Sequence, residues 1–118
     1  MTYPVSYNID YYTGDTYQFF LRPKIYNYTT EQYDDVDLTQ YNSLFVIATE
    51  RGNPSAIVYS SSPQISASTY LLCAIPPSAG MYLTGASYVY DVEIKNKTDV
   101  YDVLTIVTGT ISTLRDIS

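Results

Sequence analysis

At 118 residues and 13.3 kDa the chain has room for one core, and a domain of this size hides roughly two-thirds of its unfolded surface. Six Lys and Arg stand against twelve Asp and Glu, giving a net charge of −6; with the basic residues scattered, free nucleic acid is excluded as an expected partner, because phosphate binding needs clustered cations. Fifteen Tyr against three Phe and no Trp mean that most aromatic area comes with a hydroxyl, which suits half-buried faces and interfaces.

The first residues, MTYPVSYNID, lack a basic region followed by an apolar run, so no signal peptide is read, and no apolar stretch approaches the ~20 residues that a membrane span needs. The single Cys73 cannot form an intrachain disulfide, which fits a reducing compartment and leaves the sequons at Asn27 and Asn96 little weight.

In chain order, Val5, Tyr7, Ile9 and Tyr11 alternate with polar residues and predict a first strand. After a turn at Thr13-Gly14-Asp15, Tyr17, Phe19 and Leu21 continue the pattern, and Pro23 marks either the end of that strand or an edge position. Residues 27–41 are polar, tyrosine-rich and acidic and read as a loop. Residues 43–49 are apolar on both faces, as a central strand requires.

Arg51-Gly52-Asn53-Pro54 is a turn, residues 56–60 a short strand paired with its predecessor, and residues 64–75 a further strand. Pro76-Pro77 and two glycines make residues 76–85 a loop. Next, Tyr88, Tyr90, Val92 and Ile94 alternate with Val89, Asp91, Glu93 and Lys95. A turn at residues 96–99 leads to a strand over 100–107, which Gly109 is expected to break before a last strand from Thr110 to about Leu114. The whole predicts one all-β domain over residues 1–118, an antiparallel β-sandwich of about seven to eight strands.

Signals for chemistry are weak. Histidine is absent, none of the serines sits in a G-x-S-x-G elbow, and no phosphate-binding glycine loop occurs. Cys73 lies among Leu71, Leu72, Ala74 and Ile75 and reads as a small buried hydrophobe. Asp34, Asp35 and Asp37 offer oxygen ligands for Ca²⁺ but lack the calcium-loop pattern, so a solvated loop with Asp37 starting a turn is the reading. Asp91 and Glu93 share a strand face that looks solvated rather than pocketed, a poor setting for a glycosidase pair. No catalytic residue, cofactor or metal is expected. Tyr26, Tyr28, Tyr33 and Tyr41 form the candidate interface: they pack the segment onto the domain or against another subunit, or else build a platform for sugar rings.

Several short patterns carry a likeness. Tyr88, Tyr90, Asp91, Val92 and Ile94, then Gly109, Ile111, Leu114 and Asp116-Ile117-Ser118, follow the order Y-x-Y-D-V-x-L, hairpin, apolar strand, G-x-I, closing Asp. Tyr11-Tyr12-Thr13-Gly14-Asp15-Thr16-Tyr17 and Asp37-Leu38-Thr39-Gln40-Tyr41 supply two further steps. In these the chain resembles the virion β-sandwich domain of tailed bacteriophages, similar to the N-terminal domain of siphophage baseplate upper proteins. It departs from that pattern at Ala86, where a glycine is expected, and in a hairpin turn without glycine.

The resemblance implies a non-enzymatic structural component of a virion: a head decoration or cement protein, or a small neck, tail or baseplate adaptor, assembled in the host cytoplasm. Its implied partners are capsid, neck, tail or baseplate subunits, with the protein present as a homo-oligomer or in many copies, held by β-edges and tyrosine-rich surfaces, without nucleic acid or membrane. A carbohydrate-binding module that reads host surface glycans is the alternative.

Overall fold

The computed structural model describes residues 4–85 and 87–114. Its strands are β1 (Val5–Ser6), β2 (Ile9–Tyr12), β3 (Tyr17–Leu21), β4 (Lys24–Asn27), β5 (Gln32–Asp35), β6 (Tyr41–Ala48), β7 (Ile57–Ser61), β8 (Gln64–Ser66), β9 (Tyr70–Ile75), β10 (Ser87–Asn96) and β11 (Val103–Leu114). One helical turn, α1 (Pro77–Gly80), and two 3₁₀ turns, Leu38–Gln40 and Pro54–Ala56, complete it. A large sheet has the order β1-β11-β10-β6-β7 with β2 also on β11; a second has the order β3-β9-β8; β4 and β5 form a two-stranded ribbon.

The chain is all-β, as composition and alternation predict, but the strand count and direction differ from the expectation. Eleven strands form among the described residues, and the large sheet is mixed, because β1 and β2 both run parallel to β11. Alternation reports which face a residue takes and not which way its neighbour runs. The expected first strand is also split. At the interruption the Tyr7 amide donates to the Thr108 carbonyl (3.0 Å), and Asn8 Oδ1 accepts from both the Thr110 amide and its hydroxyl (3.2 Å each). A side chain thus stands in for a rung of the ladder.

Three other boundaries move. Residues 64–75 divide into a hairpin because Ala67 and Ser68 take positive φ of 52° and 59°, letting Ser66 face Tyr70. Val100 and Tyr101 lie in the preceding turn, exposed. β11 then runs unbroken through Gly109, which faces Tyr90 in regular antiparallel register. Asp116-Ile117-Ser118 and Ala86 of the phage-like pattern lie outside the described residues.

The two larger sheets pack through the faces that alternation assigns. Tyr88, Tyr90, Val92 and Ile94 of β10 are buried, as are Leu71, Cys73 and Ile75 of β9. Phe19 from β3 meets Phe45 of β6 at 5.8 Å and Tyr90 at 6.1 Å, edge to face, the geometry that aromatic quadrupoles favour. Each buried Leu, Ile, Val or Phe contributes roughly 1.5–3 kcal/mol of transfer free energy. β6 takes the central position expected of it, between β10 and β7, but one face alone is enclosed: Phe45 and Ile47 are buried while Leu44 on the other face is exposed.

Candidate interface on the tyrosine ribbon

Residues 27–41 are not a loop. Their first half completes the ribbon of β4 and β5, with Lys24 facing Asp35, Ile25 facing Asp34, Tyr26 facing Tyr33 and Asn27 facing Gln32. The Asn27 carboxamide oxygen accepts from the Thr29 and Thr30 amides at 2.9 and 3.3 Å, an Asx turn that starts the reversal. Glu31 ends it at φ 58° while its amide donates to the Asn27 carbonyl at 2.8 Å. At the base, Arg22 grips Asp35 with two parallel bonds of 2.8 and 2.7 Å, Arg22 also lies over the Tyr70 ring at 5.2 Å, and Pro23 and Val36 are buried. The hydrogen bonds from Arg22 hold the Asp35 carboxyl below its usual range, and the charges of Arg22 and Lys24 act in the same direction.

Of the four tyrosines singled out from the sequence, three come together. The Tyr26 ring lies 4.8 Å from that of Tyr28 and 5.1 Å from that of Tyr33, the latter pair edge to face. Tyr28 is 87% exposed and Tyr33 46%, so the rings touch yet stay wet. Tyr41 stands apart. It begins β6, and its hydroxyl donates to Asp102 Oδ2 at 2.5 Å, a bond to a carboxylate that raises its pKa above the ordinary phenol value. Tyr41 nonetheless lines the same open groove of about 630 Å³ as Tyr26 and Tyr28, with Ile25, Asp34 and Asn96 among the other walls.

The three aspartates of the segment are already engaged, each with a separate partner. Asp34 accepts from Asn27 Nδ2 (2.9 Å), Asp35 is gripped by Arg22, and Asp37 caps the Leu38–Gln40 turn by accepting from the Thr39 amide (3.1 Å) and hydroxyl (2.6 Å). Among the described residues no group of three or more His, Cys, Asp or Glu is placed to hold a metal ion. On β10, Asp91 accepts from Arg51 at 2.5 Å and from Thr108 Oγ1 at 2.7 Å, bonds that tie the turn after β6 to the sheet face. Cys73 is fully buried, and burial pushes its thiol up to about 12, far from the thiolate that nucleophilic chemistry requires.

The groove therefore offers phenol rings, carboxylates and amides, groups that recognise by packing and hydrogen bonding. Sequence reasoning missed Ile25, Asp34 and Asn96 as parts of it. One signal was present: Lys24 with Asp35 and Tyr26 with Tyr33 sit symmetrically about residues 28–31, the pattern of complementary cross-strand pairs around a turn. Compared with family models and with curated proteins, the chain matches none.

Proposed function

We propose that the chain is a non-enzymatic structural subunit of a tailed-bacteriophage particle, assembled in the host cytoplasm and docked onto neighbouring capsid, neck, tail or baseplate subunits through its tyrosine ribbon. The observation that carries this reading is the ribbon itself: β4 and β5 ladder with each other and with neither larger sheet, yet their hairpin bears Tyr26 in ring contact with both Tyr28 and Tyr33. A lone two-stranded hairpin is marginal in water, and an arm of this kind gains most when a partner covers it. The long dimension of 53 Å against 29 and 22 Å suits a body with a projecting arm. In this reading the two facing sheets are the β-sandwich of the phage-like domain, with Tyr88, Tyr90, Val92, Ile94 and Ile111 supplying its core.

Replacing Tyr26, Tyr28 and Tyr33 together by Ser tests it. The variant is expected to keep its fold and to drop out of purified particles, whose wild-type copy number follows the symmetry of the head or tail. Full incorporation of the variant would overturn the reading. The carbohydrate-binding alternative draws on the groove, where Tyr26, Tyr28 and Tyr41 could stack on sugar faces beside Asp34 and Asn96. Glycan binding by the isolated chain, lost in the same variant, would favour it.

A further inference from the structure

The free strand edges of this molecule are not equivalent. On the large sheet, the β1–β2 side is interrupted at Tyr7 and Asn8 and bears Asp10, and β7 carries a register shift where Val58 is extra between its pairs with Ile47 and Ala48. On the second sheet, β8 has three residues, bounded by Pro63 and by Ala67 and Ser68 at positive φ. At its other side β3 has the N-terminal segment laid against it, with the Tyr7 ring 6.2 Å from Phe19 and the Tyr7 and Tyr17 hydroxyls 3.2 Å apart. Bulges, short strands and covering segments are the devices that blunt an edge.

The β5 edge of the ribbon has no register shift, and among the described residues no further strand pairs with it; it is four residues long and bears Asp34 and Asp35, so charge is the device at this edge. Gln32, Tyr33, Asp34 and Asp35 pair with β4 in unbroken register, and all four are exposed. Charge decides which strand can join. Antiparallel pairing of β5 with a second copy sets the Asp34-Asp35 step of one chain within about two positions of the same step in the other, where like charges repel. Glu31 adds to that repulsion at the end of the strand. A strand bearing Lys or Arg meets the opposite situation: Asp34, Asp35 and Asp37 line the groove beside the edge, and with Asp35 held by Arg22 and Lys24, Asp34 and Asp37 are the carboxylates offered to an incoming cation. The phenol rings of Tyr26 and Tyr28 on the same groove offer faces for a cation.

We infer that the β5 edge accepts an extended, basic segment of a different polypeptide by strand addition, and that it rejects a second copy of this chain. This names the partner chemistry for the docking proposed above and rests on it. Backbone bonds to β5 give affinity, and a cation opposite Asp34 gives register and selectivity.

The test uses the full chain, labelled with ¹⁵N, and three short blocked peptides: one alternating Thr and Lys, one with Glu in place of Lys, and the Lys peptide with alternate amides N-methylated. The Lys peptide is expected to shift the amides of residues 32–35, to bind at least about five-fold more tightly than the Glu peptide, the discrimination that one or two opposite-charge cross-strand pairs supply, and to bind more tightly than the methylated peptide, which has lost ladder donors. Added salt should weaken it. The Asp34→Lys variant should reverse the preference toward the Glu peptide. Equal binding of the Glu peptide, equal binding of the methylated peptide, or shifts confined to other strands would each overturn the inference. If the edge test fails while the triple Ser variant is still lost from particles, the strand-addition model falls and the docking role stands; if that variant is incorporated normally, the docking role itself falls.

Discussion

Tyr90 donates its hydroxyl to the main-chain carbonyl of Tyr7 at 2.5 Å, and it does so across Gly109, which lies opposite Tyr90 on β11. A Cβ at Gly109 would stand 2.0 Å from that carbonyl oxygen and 3.1 Å from the Tyr90 ring. Gly109 is therefore required for close approach, and the break expected from the sequence does not occur. The N-terminal segment, β10 and β11 all meet at this point.

Gly109→Ala should destabilise the chain by about 1–3 kcal/mol, since the opposing atom is backbone and cannot swing aside. Tyr90→Phe should cost about 1–3 kcal/mol by leaving the Tyr7 carbonyl without its donor. Urea denaturation of both variants checks this. A midpoint unmoved in Gly109→Ala would mean that the N-terminal segment can lift away freely.

At the ribbon tip, Glu31 holds φ 58°, a conformation that costs a side chain roughly 1–2 kcal/mol and glycine almost nothing. Glu31→Gly should slow hydrogen exchange at the β4 and β5 amides while leaving those of β10 unchanged. Faster exchange in the ribbon would show that the Glu31 side chain supports the turn.

Acid should loosen the ribbon before the body. Asp35 has its pKa depressed below the ordinary 3.8, chiefly by hydrogen bonds from Arg22, so its contribution is present above that value and is lost as pH falls through the lowered one. The carboxyl is open to solvent, so the effect is local. Amide shifts of residues 32–35 should move below pH 3.8 in the wild type, and Arg22→Met should move that transition upward.

Base should weaken the core. Burial raises the Cys73 thiol from 9.0, and burial with the neighbouring Tyr7 hydroxyl raises the Tyr17 phenol from 10.0, each to about 12. Both are groups that the folded state keeps protonated while the unfolded chain gives the proton up. Their stabilising contribution is thus complete below pH 9.0 and is lost as pH rises toward 12. Native protein at pH 8 should resist thiol labelling, and the reagent should react once denaturant is added. Rapid labelling of the native form would contradict the burial of Cys73.

Much of the fold was legible where side chains alternate cleanly. The buried face of β10 and the pairing of β7 with β6 follow directly from Tyr88, Tyr90, Val92 and Ile94 and from the turn at Arg51. Two causes hid the rest: the sequence signal reports local periodicity, whereas one outcome depends on a distant partner and another on strands without a buried face. The parallel seating of β1 and β2 depends on β11, about a hundred residues away. The ribbon was hidden because neither strand has a fully buried residue, so β5 reads as Gln32, Tyr33, Asp34 and Asp35 with no apolar alternation. Tyr26, Tyr28 and Tyr33 were found by residue type, and Tyr41 joined them only through the curvature of the groove.

The position of β11 has a bearing on how the molecule is made. This strand follows every other described strand in the chain, yet it sits inside the large sheet, with β10 on one flank and β1 and β2 on the other. Until it emerges from the ribosome, the opening residues have nothing to lie beside and Tyr90 has no Tyr7 carbonyl to meet. Pairing of the opening residues with the sheet therefore waits until residues 103–114 have been made, and the apolar faces that β11 covers stay open until then.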